Sequence, residues 1–226
     1  MINIKHNLIR KIELSLLFIV YLVLILNVII FKDNPIAAFS AFFGITYTYL
    51  AGIGRPNCYL FGLSGSGLYS WLSFSNALWG NLALYLFYYV PMQIAGFFKW
   101  KHNLKQDKNE IIKIRLSNKE RGIIFLISAI CTFAFIIFLK TINDTNPIFD
   151  GITTIFSIIG MYLTVKRAIE QWIVWIIVNG LSALMWFEIA ANGEKVYSTV
   201  IMWIVYFFLA IYFYITWKKE LNQQNL

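Results

Sequence analysis

Long apolar runs recur along the whole chain, separated by short polar stretches that carry most of the charges. A membrane-spanning helix needs about 20 mostly apolar residues, with a range of about 17–25. Eight runs reach or approach this length, and the third is short and rich in Gly and Ser. The pattern therefore predicts an all-α integral membrane protein with eight transmembrane helices, at residues 12–31, 35–51, 57–72, 78–99, 122–139, 148–165, 171–189 and 198–217.

The composition agrees with a membrane protein. Of the 226 residues, 59% are hydrophobic and 13% are charged, whereas soluble domains carry about 25% charged residues. A disordered chain is also excluded, because such chains are poor in aromatic residues and this one contains 18%. We attribute the net charge of +8 to the loops of a membrane protein and predict no binding of nucleic acid.

The distribution of basic residues predicts the orientation. If the N-terminus lies in the cytoplasm, only Lys32, Lys140 and Lys195 fall on the opposite side, and the other 16 of the 19 Lys and Arg residues are cytoplasmic. Cytoplasmic loops of membrane proteins carry such an excess. Both termini are therefore predicted to be cytoplasmic, and the long basic loop around residues 101–121 is interpreted as an orientation signal.

Residue types that metal and catalytic sites need are scarce. His6 and His102 lie in charged flanking segments, and Cys58 and Cys131 show no motif spacing. We therefore expect two buried thiols that form neither a disulfide nor a metal site, and we expect no cofactor and no enzymatic activity. A membrane enzyme or sensor is the alternative of another class, and the lack of paired catalytic groups disfavours it.

Short sequence features recur about 115 residues apart. Asn34-Pro35-Ile36 opens the second span and Asn146-Pro147-Ile148 opens the sixth, while Trp100 in the fourth span corresponds to Trp217 in the eighth. This recurrence predicts a duplicated three-helix unit. The predicted organisation is an extra N-terminal helix (1–33), a first repeat (34–100), a loop and linker helix (101–145), a second repeat (146–219) and a tail (220–226).

The predicted repeats point the same way across the membrane, because corresponding spans lie four apart. Parallel repeats about an axis along the membrane normal are a transporter architecture, with the substrate site between the repeats near the midplane. The sequence therefore predicts a transporter with a 3+1+3 arrangement after its first helix.

Polar and aromatic residues share one face of the seventh span. Trp172, Trp175, Asn179, Ser182 and Trp186 follow one another at steps of three and four residues, which places them on one side of a helix. Polar groups inside the bilayer face the bundle interior or a cavity, although a Trp near a helix end also serves as an interfacial anchor.

The fourth and eighth spans supply further candidates. Gln93 lies inside the fourth span, with Asn81 and Tyr88 at the margins of its polar face, and Trp203 and Tyr206 lie on the eighth. Amides donate and accept hydrogen bonds, and aromatic rings stack on flat heterocycles and attract cations. No Asp, Lys or Arg lies deep in a predicted span, so a facilitator is favoured over an ion-coupled pump.

These features resemble the PnuC family of bacterial vitamin transporters. The resemblance covers about residues 34–219 and rests on Glu170-x-Trp172-x-x-Trp175-x-x-x-Asn179, on Tyr88 through Trp100, and on Tyr206 through Trp217. It implies a SWEET-like fold, a homotrimer and a location in the bacterial inner membrane. It also implies uptake of nicotinamide riboside by facilitated diffusion, with a cytoplasmic kinase that traps the nucleoside as its phosphate.

On this resemblance, Trp172 and Trp175 are predicted to stack on the ligand or gate it. Asn179 and Gln93 are predicted to form hydrogen bonds with it. The further candidates for ligand contact are Tyr88, Asn81, Trp203 and Tyr206. Relatives in the family are thought to carry thiamine or riboflavin, so these vitamins, and a sugar, remain alternatives within the same fold.

Overall fold

The computed structural model describes residues 2–75, 82–105, 110–141 and 147–224, and its secondary structure is helical. This confirms the predicted all-α class. We number eight helices within the described part: α1 (Ile2–Ile30), α2 (Pro35–Gly52), α3 (Cys58–Ser75), α4 (a π-helical segment Leu84–Tyr89 followed by Val90–Lys101), α5 (Asn118–Thr141), α6 (Pro147–Lys166), α7 (Gln171–Ala191) and α8 (Tyr197–Gln224).

Each predicted span falls on one of these helices, apart from the start of the fourth, which lies outside the described residues. Five helices within the described part, α1 and α5 to α8, are long and apolar enough to cross a membrane. The protein is therefore a multi-pass membrane protein. That α2, α3 and α4 also cross the bilayer remains a prediction.

Helices α1 and α5 lie at the periphery of the bundle. Only 11% of the membrane-spanning stretch of each is buried inside the protein, so most of their apolar surface is available to lipid. For this reason Cys131, on α5, is exposed and the prediction that it is buried was wrong, whereas Cys58 is buried. Helix α1 is attached by polar contacts: the Glu13 carboxylate accepts hydrogen bonds from the hydroxyls of Tyr49 and Tyr212, and the Tyr21 hydroxyl contacts the Thr46 hydroxyl at 2.8 Å.

The start of α2 follows directly from the sequence. Asn34 accepts a hydrogen bond from the Ile36 N–H at 2.9 Å, and Pro35 occupies the first helical position. An amide cap followed by proline is a common helix start, because proline needs no hydrogen-bond acceptor there. Helix α6 also begins at a proline, Pro147, and its predicted cap Asn146 lies outside the described residues.

Two fully buried tryptophans join helices at one end of the bundle. The indole N–H of Trp100, on α4, donates to the backbone carbonyl of Thr164, on α6, at 2.9 Å. The indole N–H of Trp217, on α8, donates to the carbonyl of Gly52, on α2, at 2.6 Å. We call this the basic end, because Arg55, Lys101, Lys113, Arg167 and Lys218 lie in the helix ends and loops there.

Substitution of Gly52 by Ala is expected to destabilise the contact between α2 and α8. A methyl group there would overlap three ring atoms of the buried Phe213, and overpacking of this kind costs about 1–3 kcal/mol. Thermal unfolding in detergent measures the effect as a lowered Tm. Gly67→Ala is the matched control, because a Cβ at Gly67 meets no heavy atom within 4 Å; equal transitions for the two variants would contradict the close approach at Gly52.

Candidate functional site

A cavity lies inside the bundle, between α2, α3 and α4 on one side and α6, α7 and α8 on the other. It contains about 790 Å³ of empty space, counted together with space that is open to solvent. The lining residues are Ser40, Gly44, Tyr47, Thr48, Ala51, Gly62, Gly65, Ser66, Tyr69, Tyr85, Tyr89, Gln93, Met161, Thr164, Gln171, Trp172, Trp175, Asn179, Met202, Trp203 and Tyr206.

The structure brings six of the eight predicted ligand-contact residues together in this lining: Gln93, Trp172, Trp175, Asn179, Trp203 and Tyr206. Tyr88 is placed outside it, and its hydroxyl donates to the carbonyl of Ile158 on α6 at 2.7 Å. Asn81 lies outside the described residues. The cavity is therefore formed by the three helices on which the sequence placed the polar faces, together with α2, α3 and α6.

Tryptophans form one wall of the cavity. The Trp175 indole packs against Gly160, where a Cβ would lie 3.0–3.3 Å from three of its ring atoms. Its N–H donates to the Thr164 hydroxyl at 3.0 Å. Because the glycine leaves room and the hydroxyl fixes the ring, Trp175 is held in one orientation and presents an aromatic face to the cavity.

Tyrosines form another part of the lining, and the sequence did not identify most of them as ligand contacts. Tyr69 on α3 stacks on Tyr85 of α4 at 4.5 Å between ring centroids, and Tyr85 meets Tyr89 edge to face at 4.7 Å. Both α4 tyrosines lie in the π-helical segment, and such segments are frequent at functional sites. Tyr47 on α2 completes this aromatic surface.

Several polar atoms in the lining have no hydrogen-bond partner among the described residues. Gln93 donates through Nε2 to the Ser66 hydroxyl at 2.9 Å, but its Oε1 is unpaired. Gln171 is only 1% exposed, and neither its amide nitrogen nor its amide oxygen has a partner. The indole N–H groups of Trp172 and Trp203 are also unpaired. Because each unpaired buried group costs about 1–3 kcal/mol, the cavity is suited to a ligand that carries several donors and acceptors.

The lining carries no formal charge within the described part of the chain, because its residues include neither Asp or Glu nor Lys, Arg or His. An anion would therefore meet no cation there. A cationic ring could still be accommodated, because aromatic faces attract cations. The arrangement favours a flat ligand that is polar and is either neutral or positively charged.

Comparison with known proteins gives consistent results. Residues 34–219 match the family model described as "Nicotinamide mononucleotide transporter". The nicotinamide riboside transporter PnuC of Neisseria mucosa is 32% identical over 91% of this chain and 82% of its own length. The protein of that name from Haemophilus influenzae is 27% identical over 85% and 83%. A crystal structure of the vitamin B3 transporter PnuC superposes with a TM-score of 0.81, at 29% identity over 94% of this chain and 92% of that one.

Proposed function

Because this chain belongs to the PnuC family of transporters, we propose that it carries nicotinamide riboside across a bacterial inner membrane by facilitated diffusion. The observation that supports the proposal most directly is the cavity of aromatic and amide side chains without a charged group in its described lining. Nicotinamide riboside has a flat cationic ring, a carboxamide and ribose hydroxyls, so each part of it has a suitable partner there.

The charge of the cavity favours the riboside over the mononucleotide named by the family model. A phosphate monoester carries about −1.5 to −2 charges at pH 7, and burial of an ion without a counter-charge is strongly unfavourable. The described lining contains no Lys, Arg or His. We therefore expect that the mononucleotide does not bind in the cavity, because its phosphate would be buried there without a counter-charge.

The aromatic and amide groups suggest how the riboside binds. The ring would stack on Trp175, whose indole is fixed by Thr164 and Gly160, and its positive charge adds a cation–π attraction of about 0.5–2 kcal/mol. The side-chain amides of Asn179 and Gln93 would form hydrogen bonds with the carboxamide or with the ribose hydroxyls. Gln171 and the Trp172 indole N–H offer further unpaired groups for the polar part of the ligand.

Transport without ion coupling is consistent with the same lining. A proton- or ion-coupled transporter usually places Asp, Glu, His, Lys or Arg side chains inside the membrane, and none of these lines the described part of this cavity. Accumulation of the riboside inside the cell would then require its chemical removal there, because a facilitator only equalises the concentrations on the two sides. We propose that a cytoplasmic kinase phosphorylates the riboside, because the added phosphate prevents its return through an uncharged cavity.

We further propose that α2–α4 and α6–α8 are parallel repeats, as in the SWEET-like arrangement. Two hydrogen bonds support this. In the proposed repeat α4 corresponds to α8 and α6 corresponds to α2, and the bond from Trp100 on α4 to α6 is matched by the bond from Trp217 on α8 to α2. The basic residues support a cytoplasmic location of the basic end and of both termini. We propose a homotrimer as the assembly, and crosslinking in native membranes tests it.

Uptake by proteoliposomes tests the proposed function. We expect saturable uptake of labelled nicotinamide riboside that imposed proton or sodium gradients do not change, because the described part of the lining contains no Asp, Glu or His to couple to those ions. Empty vesicles are the control. If proteoliposomes with folded protein take up no more riboside than empty vesicles, the proposal is contradicted. If thiamine, riboflavin or a sugar competes more strongly than unlabelled nicotinamide riboside, that compound is the substrate instead.

A further inference from the structure

The segment 110–117 lies across the basic end of the bundle, and we call it the strap. It precedes α5 and is bound at several points. The Ile111 N–H donates to the carbonyl of Gly54, beyond the end of α2, at 2.9 Å. Ile114 pairs with the α6–α7 connection, donating to the Arg167 carbonyl at 3.0 Å and accepting from the Ile169 N–H at 2.9 Å. The strap therefore bridges α2 and the α6–α7 connection, which belong to opposite sides of the cavity.

Lys113 anchors the strap beneath the bundle. Its side chain is only 2% exposed, and its ammonium lies 2.6 Å from a carboxylate oxygen of Glu220, on α8. Burial lowers the pKa of this lysine, and the Glu220 carboxylate opposes that shift. A charge in such a place persists because it is paired, so the ion pair fixes the position of the strap.

The same ammonium contacts an aromatic ring that packs against the cavity lining. It lies 4.9 Å from the centre of the Trp217 ring, within cation–π range. The Trp217 ring meets Trp172 edge to face at 5.5 Å between centroids, and Trp172 lines the cavity. A continuous series of contacts thus runs from Glu220 through Lys113 and Trp217 to the cavity wall.

We propose that the strap is the gate on the basic side of the transporter and that Lys113 is the residue that positions it. The proposal rests on the transport function proposed above. Release of a substrate towards the basic end requires Trp217 and Trp172 to separate, and Lys113 holds Trp217 in place from below. Opening then requires the ammonium to leave the Trp217 ring and the Glu220 carboxylate.

Accessibility of the cavity from the basic side tests the gate. Ala51 lines the cavity near this end and is 3% exposed, so Ala51→Cys reports its opening to a membrane-impermeant maleimide. Cys58 is replaced by Ala and Cys131 by Ser in all proteins, so that the reporter is the only thiol. The reagent is applied to vesicles whose basic side faces outward. Lys113→Met or Glu220→Gln is expected to raise the labelling rate by at least about tenfold, because loss of the pair lowers the free energy of local opening.

Glu220→Gln is expected to have the larger effect, because it leaves the buried ammonium without its carboxylate, whereas Lys113→Met keeps an unbranched apolar chain under Trp217. Lys119→Ala is the matched control: Lys119 lies just beyond the strap, in the first turn of α5, and is exposed. Its labelling rate should equal that of the reporter alone.

A second reporter separates gating from general loosening of the fold. Ser128 is buried on α5, away from the strap, and Ser128→Cys should keep its slow labelling in both strap variants. Unchanged labelling at Ala51→Cys, or an equal rise at Ser128→Cys, would overturn the proposal. The readout needs no substrate, so it remains decisive even if nicotinamide riboside proves not to be transported.

Discussion

Trp175→Ala is expected to weaken nicotinamide riboside binding by about 100-fold. Stacking of an aromatic side chain on a base contributes about 1–3 kcal/mol, and a desolvated cation adds about 0.5–2 kcal/mol. A factor of ten corresponds to about 1.4 kcal/mol, so the two contributions together account for the loss. Trp175 is oriented for this role by its bond to Thr164 and its packing on Gly160. Isothermal titration of the purified variant measures the affinity.

Two further variants make this prediction specific to the cavity. Trp71→Ala removes a tryptophan that is 56% exposed and outside the cavity lining, and its affinity should match that of the unmodified protein. Trp175→Phe retains an aromatic face but loses the bond to Thr164, so an intermediate affinity is expected. If Trp175→Ala and Trp71→Ala bind equally well, the ring does not stack on Trp175.

Gln171→Met is expected to change stability and binding in opposite directions. Without ligand, the buried Gln171 amide has no partner among the described residues, so its replacement by an apolar chain of similar length should stabilise the protein by about 1–3 kcal/mol. If the ligand pairs with this amide, the same change should weaken binding by about 10- to 100-fold. Thermal unfolding without ligand and isothermal titration measure the two effects.

Gln93→Met provides the matched comparison. Gln93 is also buried in the lining, but its Nε2 already donates to the Ser66 hydroxyl. Its removal leaves Ser66 without that donor, so little gain in stability is expected. If Gln171→Met lowers the transition temperature, or leaves the affinity unchanged, Gln171 is not a polar contact of the ligand.

The seventh span shows what the sequence could predict. Trp172, Trp175 and Asn179 share a face at steps of three and four residues, and α7 is a regular helix over this stretch, so all three reach the cavity. Inside a bilayer a polar side chain on a regular helix has few alternatives to the interior. Helical periodicity alone therefore identified this wall.

Other lining residues depend on tertiary structure. Gln171 lies at the first position of α7, beside charged residues, where an amide is usually in water; only packing of the surrounding loops makes it 1% exposed. Tyr88 was predicted on an α-helical register, but the π-helical segment Leu84–Tyr89 changes the angle between successive residues. Its hydroxyl therefore contacts Ile158 on α6.

The burial of Lys113 could not be predicted from the sequence either. The sequence indicated a basic cytoplasmic loop, and the most economical interpretation was an orientation signal. Composition does not distinguish a lysine in water from one buried against Trp217 and Glu220. The difference comes from the path of the strap across the basic end, which follows from long-range backbone contacts such as Ile111 with Gly54.

Titration of the purified protein with nicotinamide riboside and with nicotinamide mononucleotide tests the central claim most directly. The two ligands share the ring, the carboxamide and the ribose, and differ by one phosphate. A cavity whose described lining has aromatic and amide groups but no cation should bind the riboside saturably at one site and the mononucleotide at least about 100-fold more weakly. Equal affinity for the two ligands, or no binding of the riboside, would contradict it.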